Sequence, residues 1–208
     1  MAGKLATCFV LCALLQACTF VPDVHLVATV DSTDPAVVEE TARVLSARFA
    51  KFRASLFATT DVEVSGSTLR YTFKNGAPDT TVLEYLCRTR GRVRAFVSAE
   101  PAAEPWFTDR DIQNAALSYE KGTRVFNIRL TAEAGARLLR LTSEHLGQNL
   151  TMEMDGQTLM DARINGVFGP RFQVTAPELP GDLTMATTII LANGGLPANV
   201  TAVAFEAE

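Results

Sequence analysis

Apolar residues along this chain switch repeatedly between a period of two and a period near 3.6, and the switches mark out its elements. Val24 to Val30 reads as a strand. Asp34-Pro35 then supplies an N-cap and a first-turn proline for a helix that sets Val38, Leu45, Phe49 and Phe52 roughly on one face, with Arg48, Lys51 and Arg53 toward its C-terminal end. Short strands are predicted at Val62 to Val64 and Leu69 to Phe73, around Ser65-Gly66-Ser67, followed by a helix from Thr80 to Arg88 and a strand from Val93 to Val97. The succession strand, helix, strand, strand, helix, strand suits a ferredoxin-like layer, an antiparallel sheet with two helices on one face.

Glu100 to Pro105 is rich in Pro and Ala and is the expected hinge between two halves. Trp106-Phe107 follows it directly, and core or hinge packing is preferred there over a binding platform. Strands are predicted at Ile112 to Ser118 and Arg124 to Leu130, either side of Lys121-Gly122. Thr131 caps a helix with Ala134, Leu138, Leu141 and His145 on one face, and Gly147 can stop it. Further strands are expected near Leu150 to Met154, Thr158 to Ile164 and Arg171 to Thr175. A last helix from about Asp182 to Ala192 ends at Asn193-Gly194-Gly195, and Val200 to Phe205 reads as a strand returning to the base. The fold class is α+β, divided into a signal peptide (1–17), a ferredoxin-like base (18–104), a head (105–197) and a C-terminal strand or tail (198–208).

The N-terminus changes the setting. Met1 to Ala17 carries one positive charge at Lys4, an apolar run from Leu5 to Leu15 and small Ala17 before Cys18, the layout of a cleaved secretory signal and too short to span a bilayer. Leu15-Gln16-Ala17-Cys18 resembles a bacterial lipobox, so Cys18 is expected to be acylated and to become the new N-terminus, a reading preferred to ordinary cleavage beside a spare thiol. Acyl chains contribute roughly 0.8 kcal/mol per buried methylene, so several would hold the chain on a membrane. The expected location is the cell envelope, facing the periplasm, with Thr19 favouring the outer membrane over the inner. Cys8 and Cys12 would leave with the signal, and Cys87 is then a small buried hydrophobe without a disulfide partner.

Charge and chemistry narrow the function by exclusion. The net charge is −4, and the basic run from Arg88 to Arg94 is not interleaved with aromatics, so it reads as a solvated turn and nucleic acid is not an expected partner. His25 and His145 fall in different halves, and no Ser/His/Asp or Cys/His arrangement accompanies either. Zinc spacing is lacking. Asp109 and Asp111, or Asp155 and Asp161, do not form a calcium loop, and no phosphate loop or dinucleotide fingerprint is present. Neither enzymatic activity nor a metal or cofactor is expected. What remains is surface recognition, in which sheet edges and apolar grooves bind extended polypeptide.

One stretch carries a resemblance. From Val125 to Pro197 a strand ending at Leu130 meets Thr131, Glu133 and Gly135-Ala136, a second Thr (Thr142) follows in the helix, and then come Asn149, a Met152–Asp155-Gly156 hairpin, Ile164 and Gly195-Leu196-Pro197. In order and spacing it resembles the head of the periplasmic domain of SecD, the accessory subunit of the bacterial protein-export translocase. The chain departs from that family at Met160-Asp161-Ala162-Arg163, where the family has a small residue and a proline, and at Asn165 to Gly169, where it has a Gly-rich turn. The family's membrane helices have no counterpart in the sequence, so proton coupling is not carried over. The resemblance implies a non-enzymatic lipoprotein whose partners are exported or unfolded polypeptide or export-machinery proteins, with the membrane reached through the lipid anchor. Candidate polypeptide contacts are Trp106, Phe107, Asp155, Gly156 and Phe168. The alternative is a structural or assembly lipoprotein of the envelope that kept the fold without a transport role.

Overall fold

The computed structural model describes residues 23–52, 60–74, 79–99, 101, 104–176 and 179–207; the expected signal segment and Cys18 lie outside them. In chain order the elements are β1 (Val24–Val30), α1 (Pro35–Phe52), β2 (Thr60–Ser65), β3 (Thr68–Phe73), α2 (Thr80–Arg88), β4 (Val93–Val97) and β5 (Phe107–Thr108). After a 3-10 turn at Asp109–Asp111 come β6 (Ile112–Glu120), β7 (Thr123–Leu130), α3 (Ala132–Glu144), β8 (Asn149–Met154), β9 (Gln157–Arg163), β10 (Arg171–Thr175), α4 (Gly181–Asn193) and β11 (Val200–Ala207). They form three antiparallel sheets ordered β11-β1-β3-β2, β10-β7-β6 and β5-β4-β8-β9. The class is α+β, as the patterning implied.

The first sheet is the base. Alternation in β1 and β3 turns Leu26, Ala28 and Val30, with Leu69, Tyr71 and Phe73, toward the helices. Phe49 of α1 stands edge-on to Tyr71 and Phe73 at centroid separations of 4.9 and 5.7 Å, and the Tyr71 hydroxyl donates to the Ala42 carbonyl. Asp34 starts α1 by accepting the Ala36 N–H at 3.0 Å, and Asp79 starts α2 by accepting that of Thr81 at 2.8 Å.

Val93–Val97 does not close this base as the patterning suggested. It pairs with β5 and β8 in the third sheet, and the place beside β1 is taken by β11. The reason lies in the residues. β4 buries Val93, Ala95, Phe96 and Val97, so both of its faces are covered and it suits the interior of a sheet. β11 exposes Thr201, Ala202, Ala204 and Glu206, as an edge strand can. The expected 104/105 boundary therefore falls inside the second unit. The chain leaves the base after α2 and returns to it after Pro197, while Pro101, Glu104 and Pro105 merely link β4 to β5.

α4 joins the units. It packs on α1 and α2 on one side and on β6 on the other, so its buried residues, Ala186, Ile189, Ile190 and Leu191 among them, are spread around the helix rather than confined to one stripe. Its buried threonines are tolerable there because Thr187 and Thr188 return their hydroxyl protons to the carbonyls of Leu183 and Thr184, at 2.8 and 2.9 Å. In the head, Thr131 caps α3 by accepting the Ala134 N–H. A Cβ on Gly135 would fall 2.4 Å from that of Pro170, so a glycine lets α3 close onto the β10 approach.

Cys87, in the last turn of α2, is fully buried, and burial pushes its thiol up from 9.0 to about 12. Because the folded value lies above the unfolded one, the intact thiol stabilises the fold fully below pH 9 and that contribution is lost as pH rises toward 12. Against Cys87→Ala, the wild-type advantage in urea unfolding should hold from pH 7 to 9 and then shrink by about 1.4 kcal/mol per pH unit. A gap that stays constant to pH 11 would contradict this assignment.

Candidate functional site

The five residues expected to contact polypeptide are not brought together as one surface. Trp106 and Phe107 are buried, Phe107 completely, and both pack the head: Trp106 tilts against the His145 ring at 5.2 Å and Phe107 meets Phe172 at 5.7 Å. Neither ring is available to a ligand. Asp155 and Gly156 make the β8–β9 turn with φ of 52° and 79°, and the Asp155 carboxylate is committed to the Gly91 and Arg92 N–H groups, each at 2.8 Å. Phe168 is half-buried, and its N–H donates to the Thr142 hydroxyl at 3.0 Å. His25 bonds Thr72, and among the described residues no cluster of His, Cys, Asp or Glu could hold a metal ion.

Asp155 belongs to a joint rather than a binding surface. Arg48, fully buried in α1, donates to the Leu86 and Thr89 carbonyls at 2.8 and 2.7 Å and to those of Arg90 and Gly194 at 3.0 and 2.8 Å. One guanidinium thus caps the C-terminal ends of α2 and α4 together, where the helix dipoles favour a cation. Burial pulls Arg48 down to about 10, with nearby Asp155 and Asp109 opposing that shift, so it stays charged at neutral pH.

An open backbone edge runs along β6. The Leu130 N–H donates to Pro170 and the Ala176 N–H to Arg124, so even-numbered β7 residues turn their backbone groups toward β10 and odd-numbered ones toward β6. Asn127 faces Ala116 and Val125 faces Ser118, so Ala115, Leu117 and Tyr119 point their N–H and C=O groups outward from the sheet edge. Beside that edge runs a groove of about 460 Å³ of mixed character, with Ala115, Leu117, Met185 and Ile189 beside the polar Gln113, Asn114, Thr188 and Asn193, and Lys51 of α1 on its wall. Edge strands are commonly guarded by charge or proline. β2 carries Asp61 and Glu63, and β9 carries Asp161 and Arg163, whereas neither β6 from Ile112 to Ser118 nor β11 from Val200 to Phe205 has charge or proline; of these two it is β6 that borders the groove.

Comparison with known proteins decides the family. The sequence model for SecDF, P1 head subdomain, matches residues 88–198, just over half of the chain. This chain belongs to the SecDF P1 head family. The matched stretch begins where α2 ends and stops before β11, so it takes in β4 with the head, in agreement with the sheet pairing. A crystal structure of SecDF in its super-membrane-facing form superposes with a TM-score of 0.73 at 14% identity, over 90% of this chain and 31% of that one. A second SecDF structure, titled as that of a membrane component that enhances protein export, superposes at 0.69 and 14% identity, over 86% of this chain and 99% of that one. At that identity the likeness establishes the fold, and the chain spans about a third of the first SecDF chain. No curated protein sequence matches. Among the described residues no helix is long and apolar enough to cross a membrane.

Proposed function

We propose that this SecDF head protein is a non-enzymatic, extracytoplasmic binding module for exported polypeptide, held to the cell envelope through a lipid on Cys18. An extended segment adds to β6 as a further strand, bonding the outward groups of Ala115, Leu117 and Tyr119, and lays alternate side chains into the groove over α4. The observation that carries this reading is the uncharged β6 edge standing beside a groove in which Leu117, Met185 and Ile189 offer apolar surface and Gln113, Asn114 and Asn193 polar groups, a mixture suited to varied sequences. Relationship to SecDF, a component that enhances protein export, supports the class of ligand.

Fluorescence anisotropy with a permanently unfolded polypeptide tests it. Leu117→Pro removes an outward N–H at mid-edge, where proline is tolerated, and Met185→Lys puts a charge into the groove at a residue that is 44% exposed. Each variant should weaken binding about tenfold while remaining folded by circular dichroism. Unchanged affinity in both, or no binding by the wild type, would favour the structural envelope role instead.

A further inference from the structure

The face of the β10-β7-β6 sheet opposite α4 carries a different chemistry. Arg171 of β10 lies directly across from Arg129 of β7. The Leu130–Pro170 bond fixes the ladder phase, which makes Arg129 and Arg171 a non-hydrogen-bonded pair, the kind whose side chains come closest, with Cα atoms about 4.5 Å apart. Like charges so placed repel. Neither arginine forms an ion pair among the described residues, since Asp111 bridges Arg137 at 3.3 Å and Glu120 accepts from Gln173. Asn114 of β6 extends the same row, and Asn127 and Gln173 form the next. The five side chains line a concavity of about 370 Å³.

We propose that this concavity binds a phosphate oxyanion, clamped between Arg129 and Arg171. A single carboxylate would neutralise one guanidinium and leave the other facing it, whereas a phosphate can take a bidentate contact from each. The amide of Asn114 adds a donor beside the arginines, whereas that of Asn127 is committed to the Ser118 hydroxyl at 2.7 Å and the Ala116 carbonyl at 3.4 Å. The arginine clamp stands on this sheet face and does not rest on polypeptide binding at the β6 edge, although Asn114 also borders the groove there.

Titrating the full chain with inorganic phosphate at constant ionic strength, read by amide chemical shifts, tests the clamp. Saturable shifts are expected around Asn114, Arg129 and Arg171, weakened about fivefold in R129Q or R171Q and abolished in R129Q/R171Q. The double variant should unfold at the same or a higher urea concentration, because it removes the repulsion and no fold-bearing contact. Vesicles of phosphatidylglycerol in phosphatidylcholine separate the sources. Capture that the double variant loses assigns a lipid headgroup, and saturable phosphate shifts without capture assign a soluble phosphate. Shifts that sodium chloride reproduces at equal ionic strength, or that persist in the double variant, would overturn the proposal.

Discussion

Replacing Arg48 with methionine is expected to cost about 4 kcal/mol of folding free energy, moving the urea midpoint down by about 2 M. Methionine fills a similar volume, so the loss is not mainly one of packing. It comes from the carbonyls of Leu86, Thr89, Arg90 and Gly194, which lose their shared donor, that of Leu86 in a fully buried position and the other three partly buried. The low folded-state value of Arg48, about 10, shows that its burial is itself costly, and the two helix C-termini offset that cost. Arg48→Lys separates charge from geometry. It retains the cation, but a single ammonium cannot spread over carbonyls from two separate chain segments, so roughly half of the loss should remain. A loss under about 1 kcal/mol in Arg48→Met would mean that water reaches those carbonyls.

Arg48 also shows where the sequence was readable and where it was not. Its place on an amphipathic helix followed from the spacing of Val38, Leu45 and Phe49, and the caps at Asp34 and Thr131 were legible because capping is local chemistry. That the guanidinium points into the base, toward a carbonyl 146 positions away in sequence, has no local signature. The same limit misplaced β4. Val93 to Val97 follows α2 in the order a ferredoxin-like base requires, and only its burial on both faces reveals that it lies inside another sheet. β11 could be read as a returning strand, but not as the strand that replaces β4 beside β1.

The candidate site was harder to read for a related reason. Large aromatics drew attention to Trp106 and Phe107, yet aromatics bury area, and these pack against His145 and Phe172. The groove is assembled instead from residues of three separate elements, Lys51 of α1, Gln113 to Leu117 of β6, and Met185, Thr188, Ile189 and Asn193 of α4, a juxtaposition with no local signature. What the sequence did contain was an absence of charge from Ile112 to Ser118, which acquires meaning only once β6 is known to be an edge. Asp155-Gly156 was correctly legible as a turn. Its carboxylate was already used by the chain itself.

Gly91→Ala should cost about 3 to 4 kcal/mol, through two effects that can be measured apart. Gly91 has φ of +81°, and a Cβ there would lie 2.5 Å from Ile190 Cγ2 and 2.9 Å from Arg48 Nη2. The left-handed backbone accounts for about 1 to 2 kcal/mol and the overlap for the rest. The turn cannot relax outward cheaply, because its N–H is held by Asp155 at 2.8 Å and the preceding carbonyl by Arg48 at 3.0 Å. Gly156 is the internal control: its φ is +79°, but nothing lies within 4 Å of the added carbon. Gly156→Ala should therefore show the backbone part alone. In an Ile190→Ala background the overlap with Cγ2 disappears, so the added cost of Gly91→Ala should fall by about 1 kcal/mol or more. If the two substitutions instead add within about 0.5 kcal/mol, the penalty at Gly91 resides in the backbone and the close contact with α4 carries none of it.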